Sequence, residues 1–165
     1  MRGVVTSWFS CGLSDAELSA LAIERGSCRS QQAVEALAAL VALRCWAAAW
    51  QSRRCQLRLR SDSISALILV LKLKTSGKAT GIVARELALD IASSAFAPTL
   101  AEHVPGIAND VCDILSRRFE PGKAFVIPRC LAQVPELVLE TRGLDYFRTL
   151  RDPPSPSARD SAAPA

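Results

Sequence analysis

The stretch 31–51 constrains the fold more than any other part of the chain. It is rich in alanine and leucine, which favour helix, and it is predicted to form one long helix. Val34, Leu37, Val41 and Cys45 recur at helical spacing, and Leu40 and Leu43 widen that face. Such a helix is expected to be largely buried. The periodicity then changes. Residues 56–60 read Gln, Leu, Arg, Leu, Arg, which predicts a strand with Leu57 and Leu59 turned inward.

The same reading continues on both sides. Residues 3–9 are β-branched and aromatic and are predicted to form a strand. Ser14 and Glu17 have the spacing of a capping box, which predicts a short helix over 15–23 before the break at Gly26 and Ser27. Ser61, Asp62 and Ser63 stop the second strand and can cap a helix over 64–73. Thr80 is expected to cap a helix over 81–94, with Val83, Leu87 and Ile91 in one stripe. A third strand is predicted over 98–104. After the turn at Pro105 and Gly106, Asn109 is expected to cap a helix through Arg118 with Val111, Ile114 and Leu115 inward. Strands alternating with helices give an α/β class. The expected organisation is a folded domain over 1–119, an irregular extension over 120–150 broken by Pro128 and Pro135, and a disordered tail over 151–165.

Half of the 165 residues are hydrophobic but only 5% are aromatic, so the core must come from Ala, Leu, Val and Ile. The net charge of +4 is compatible with nucleic acid without requiring it. Cys11, Cys28, Cys45, Cys55, Cys112 and Cys130 show no C-x-x-C spacing, and His103 is the only histidine, which argues against zinc. The cysteines are predicted to be reduced core residues of an intracellular protein. The apolar start is broken by Thr6, Ser7 and Ser10 and followed by Asp15, unlike a secretory leader. Glu35 and Arg44 interrupt the longest helix, so no membrane span is expected.

Three carboxylates stand out by position. Glu35 lies near the start of the long helix, Asp62 follows a strand, and Asp113 lies in the first turns of the last helix, with His103 before it at the edge of a Pro-Gly turn. Each has a plainer explanation: a helix-dipole partner, a cap, a surface charge and an exposed turn residue. Together they suggest an oxygen-rich site. Clustered carboxylates repel unless a cation neutralises them, and magnesium or manganese suits such ligands. Two such ions can activate water and stabilise the leaving oxygen of a phosphodiester, and a histidine on a mobile turn can assist proton transfer.

The order and local sequence sharpen this reading. The run Gln32-Ala33-Val34-Glu35-Ala36-Leu37, continuing rich in Ala and Leu, resembles the first-helix motif of ribonuclease H domains. Arg60-Ser61-Asp62-Ser63-Ile64 is similar to that family's strand-ending Asp-Ser before a helix. Glu102-His103-Val104-Pro105-Gly106, followed by Asn109 and by Asp113-Ile114-Leu115-Ser116-Arg117, resembles the end of ribonuclease H domains attached to retroelement reverse transcriptases. The resemblance covers about residues 3–119. It implies a ribonuclease H-like mixed sheet flanked by helices, with Glu35, Asp62 and Asp113 as ligands of Mg2+ or Mn2+ and His103 as the accessory histidine. It implies cleavage of the RNA strand of RNA–DNA hybrids, a polymerase domain of the same polyprotein as partner, and a cytoplasmic or nuclear setting. The family's fourth carboxylate stands on its first, central strand. Residues 3–9 resemble the second strand, and Asp15 lies beyond it inside the capping box, so no counterpart is present. The domain is therefore expected to be N-terminally truncated, weak or inactive, and to leave an unpaired edge on each of residues 3–9 and 56–60. The alternative is a non-catalytic nucleic-acid-binding or interaction module on the same scaffold.

Overall fold

A computed structural model describes residues 4–27, 30–50, 55–94 and 96–151, and for residues 96–99 the backbone only. Its described residues form a mixed α/β structure with six α-helices and a two-stranded sheet. The first helix, α1 (Asp15–Leu21), starts as its capping box predicts. The Ser14 hydroxyl accepts from the Glu17 N–H at 3.2 Å, and the Glu17 carboxylate accepts from the Ser14 N–H at 2.9 Å.

The long helix α2 (Gln31–Cys45) is shorter than its composition suggests and tightens into a turn over Ala47–Ala49. At that end the Trp46 indole N–H donates to Ser7 Oγ at 2.8 Å, and the ring packs on Phe9 with centroids 5.5 Å apart. The strands β1 (Cys55–Ser61) and β2 (Phe96–His103) run parallel and are joined by α3 (Ile64–Lys72) and α4 (Lys78–Ser93). Parallel neighbours require such a crossover. The helix α4 begins earlier than predicted. Gly77 occupies the cap position, and the Thr80 hydroxyl donates back to the Gly77 carbonyl at 3.1 Å from inside the first turn.

The core lies where α2, α3 and α4 meet. Leu37, Leu40, Leu69, Val83 and Leu87 are fully buried there, with Leu21 from α1 and Phe147 from the extension. Strand β1 alternates as predicted: Leu57 and Leu59 pack on the core while Gln56, Arg58 and Arg60 are exposed. The register pairs Arg60 with Glu102, whose carboxylate lies 3.4 Å from Arg60 and 3.9 Å from Arg58.

Three expectations are corrected. Residues 4–9 do not form a strand. Only Trp8 pairs, as an isolated bridge to Glu136, with backbone bonds to Pro135 and Leu137 of 3.2 and 2.8 Å. The Trp8 ring is buried and its indole N–H donates to the Val134 carbonyl at 3.0 Å, whereas Val4 and Val5 are exposed. Pro135 has no N–H with which to continue a ladder. Among the described residues the outer edge of β1 therefore has no strand beside it. Helix α5 (Asp110–Ser116) stops short of Arg118 and buries none of its residues. Asn109 makes no side-chain cap, Val111 and Leu115 are half-buried, and Ile114 is exposed. Among the described residues no helix or strand packs closely on the predicted inner face; one anchor is the Ser10 hydroxyl, which donates to the Leu115 carbonyl at 2.7 Å. The described cysteines are free, but none is fully buried: Cys11, Cys112 and Cys130 are exposed, Cys45 is half-buried, and Cys55 is half-buried against the edge of the core. Alanine, leucine, valine and isoleucine make up most of the buried interior instead. Cys28, and residues 152–165 of the expected tail, lie outside the described residues.

Residues 120–151 contain turns over Arg129–Leu131 and Leu144–Tyr146 and the short helix α6 (Arg148–Arg151). This extension is anchored by buried charge. Arg142 donates to Glu17 at 2.5 Å. Glu86, fully buried in α4, accepts from Arg44 at 2.5 Å and from the Thr149 N–H at 2.6 Å. Among the described residues no helix is long and apolar enough to cross a membrane.

Candidate functional site

The parallel register brings two of the candidate residues to one end of the sheet. Ser61 closes β1 opposite His103, which closes β2, and the Val104 N–H donates to the Ser61 carbonyl at 2.9 Å. Asp62 is the next residue after β1. Capping does not use it. The Ser63 hydroxyl accepts from the Ala66 N–H at 3.2 Å, and Ser61 Oγ accepts from the Ser63 N–H at 3.0 Å. Asp62 is thus left exposed at the carboxyl end of the strand, where ligands of open α/β sheets bind.

Glu35 faces Asp62 from α2. The two line one surface cleft of about 600 Å³ together with Gln31, Gln32, Ser65 and Ile68. Gln31 Nε2 donates to Glu35 Oε1 at 3.0 Å and so holds one carboxylate oxygen. Asp113 and His103 do not line this cleft. Both oxygens of Asp113 accept from Arg117 Nε, at 3.1 and 3.0 Å, and this pairing raises the already high pKa of Arg117. The start of α5 is still electrostatically linked to β1. Cys112, although exposed as a residue, has its thiol pushed up, by desolvation first and by the Asp62 charge second. Far from the cleft, burial pushes the Tyr146 phenol up to about 12 against the opposing pull of Arg44 and Arg142, so it stays protonated.

These residues can bind a polar or cationic group between Glu35 and Asp62. They do not, as arranged, fit the divalent ion that the resemblance implies: among the described residues no three of His, Cys, Asp and Glu are grouped to hold one. Gln31 was legible as the residue one helical turn before Glu35. Gln32, Ser65 and Ile68 were not, because only the packing of α2 beside α3 makes them neighbours of the carboxylates. A second cleft, of about 590 Å³, lies between residues 10–14 and 136–142. It depends on the long-range pairing of Trp8 with Glu136, for which the local sequence carries no signal. No protein family, curated protein or solved structure matches the chain.

Proposed function

We propose that the chain is a ribonuclease H-like scaffold of the retroelement type that hydrolyses RNA–DNA hybrids weakly or not at all by itself. The observation that carries this reading is the placement of Asp62 and His103 at the carboxyl ends of adjacent parallel strands, with Glu35 across a cleft from Asp62. On this resemblance Glu35, Asp62 and Asp113 match three of the family's four carboxylates, and Asp113 is engaged by Arg117. The second reading, a module that binds nucleic acid without cutting it, is favoured by the absence, among the described residues, of three ligands grouped for a metal ion.

The test combines binding and cleavage. Purified protein is mixed with a labelled RNA–DNA hybrid, with magnesium or manganese, at low salt. Hybrid binding that weakens with salt is expected, because phosphate contacts release counterions. Cleavage should fall roughly a thousandfold below that of a complete site, equivalent to about 4 kcal/mol of lost transition-state stabilisation. Robust metal-dependent cleavage abolished by Asp62→Asn would overturn the inactivity and keep the site. Failure to bind the hybrid at low salt would overturn the whole reading.

A further inference from the structure

Helix α3 is apolar on nearly every side. Of its nine residues, ISALILVLK, only Ser65 and Lys72 are polar. A helix apolar all round belongs in an interior. Ala66, Leu67, Leu69 and Val70 are indeed buried. Ile64, Ile68 and Leu71, however, are 55%, 45% and 45% exposed. Their spacing of four and three residues sets them in one stripe on the outer face.

Unpaired charge of opposite sign brackets the stripe. At its amino end lie Glu35 and Asp62, which share the cleft with Ile64 and Ile68. At its carboxyl end come Lys72, Lys74 and Lys78, all exposed. Among the described residues none of these five enters a salt bridge.

We propose that the outer face of α3 is an interface with a second copy of this chain, packed antiparallel across a two-fold axis beside Ile68. Such an interface is self-complementary by construction. Ile68 meets its own counterpart and Ile64 meets Leu71 of the other copy. The acidic end of each helix then faces the lysines of the other. A parallel arrangement would set lysine against lysine and carboxylate against carboxylate, so the charges select the antiparallel one. The helix is only about 14 Å long, which makes the contact small and the dimer weak and concentration-dependent. The dimer covers the cleft between α2 and α3, so assembly and access to Glu35 and Asp62 exclude each other. This inference goes beyond the proposed function and is measured without nucleic acid, so either can fail while the other stands.

Sedimentation velocity of the full chain at low salt, across a roughly hundredfold concentration range, reads the equilibrium. A monomer–dimer shift is expected, weakened by added salt. Ile68→Glu should weaken it roughly tenfold or more, with circular dichroism and melting temperature unchanged. The charges give a second test should Ile68→Glu not fold. The variants K72E/K74E/K78E and E35K/D62K should each lose the dimer when alone, and mixing the two should restore it as a heterodimer. A wild-type chain that stays monomeric throughout overturns the proposal, and the face then serves a different partner. Dimers that survive Ile68→Glu in a folded chain, or charge variants that self-associate like wild type or fail to pair when mixed, overturn it as well.

Discussion

Replacing Arg44 by methionine should destabilise the protein by about 3 kcal/mol near neutral pH, the lower end of the range for stripping one partner from a buried ion pair. Arg44 donates to Glu86 at 2.5 Å, to Asp90 at 2.7 Å and to the Tyr146 carbonyl at 2.5 Å, and its guanidinium lies 4.6 Å from the Tyr146 ring centroid. Methionine keeps much of the packing and removes the charge. Glu86, 0% exposed, would then hold only the Thr149 N–H and Arg148 at 3.6 Å, which is why the lower end of the range applies. For a chain of this size the loss corresponds to a fall in melting temperature of about 6–12 °C. Burial alone would raise the Glu86 carboxyl, but the Thr149 N–H and Arg44 overcome it and hold it below its ordinary value. A carboxylate depressed in the folded state contributes stability above its unfolded pKa of about 4.3 and loses it as pH falls through the lower folded value. The gap between wild type and Arg44→Met should therefore be full near neutrality and shrink in acid, as Glu86 is protonated first in the variant, which lacks Arg44, and only at lower pH in wild type. Urea unfolding of both proteins over a pH series measures it. A gap below about 1 kcal/mol at neutral pH, or one that does not change with pH, would refute the reasoning.

Two further outcomes follow from the cap and the arm. Ser63→Ala should cost about 1 kcal/mol through loss of the α3 cap, and Asp62→Ala much less, because Ser63 accepts the Ala66 N–H; equal losses in urea titration would mean that Asp62 shares the capping. Trp8→Ala should cost about 3–5 kcal/mol because its ring is 5% exposed, while Trp8→Phe should lose only about 1 kcal/mol with the indole bond to Val134; thermal melts in which both variants fall equally would assign the effect to that bond instead.

The elements that local physics determines were legible. The capping box of Ser14 and Glu17, the alternation of β1 and the helical periodicity of α2 and α4 each appear within a few residues of the predicted positions. The long-range choices were not. Residues 4–9 have the composition of a strand, but a strand needs a partner, and the backbone available to Trp8 belongs to residues 135–137. The stripe on α5 looked like a core face, but among the described residues no helix or strand packs closely on it and none of its residues is buried. For the candidate site, the end of β1 was the legible part, because a strand followed by Asp-Ser fixes where that carboxylate stands. The approach of Glu35 followed from α2 packing beside α3. The position of Asp113 did not follow, because α5 is placed by contacts remote in sequence.

Those contacts bear on what limits the site. Helix α5 is tied to the rest of the molecule through the Ser10 bond to Leu115 and, just beyond its end, through Arg118 paired with Glu136 and set 5.8 Å from the Trp8 ring centroid. The N-terminal arm and the extension therefore help to hold α5 in place. Arg117 is a weak obstacle. Its pair with Asp113 is exposed, and exposed ion pairs hold their partners weakly, so a competing cation can draw the carboxylate away. If the site is inactive only because Arg117 occupies Asp113, Arg117→Ala should restore metal-dependent cleavage. On the proposed reading it leaves cleavage negligible, because Glu35, Asp62 and a freed Asp113 remain one carboxylate short of the family's set.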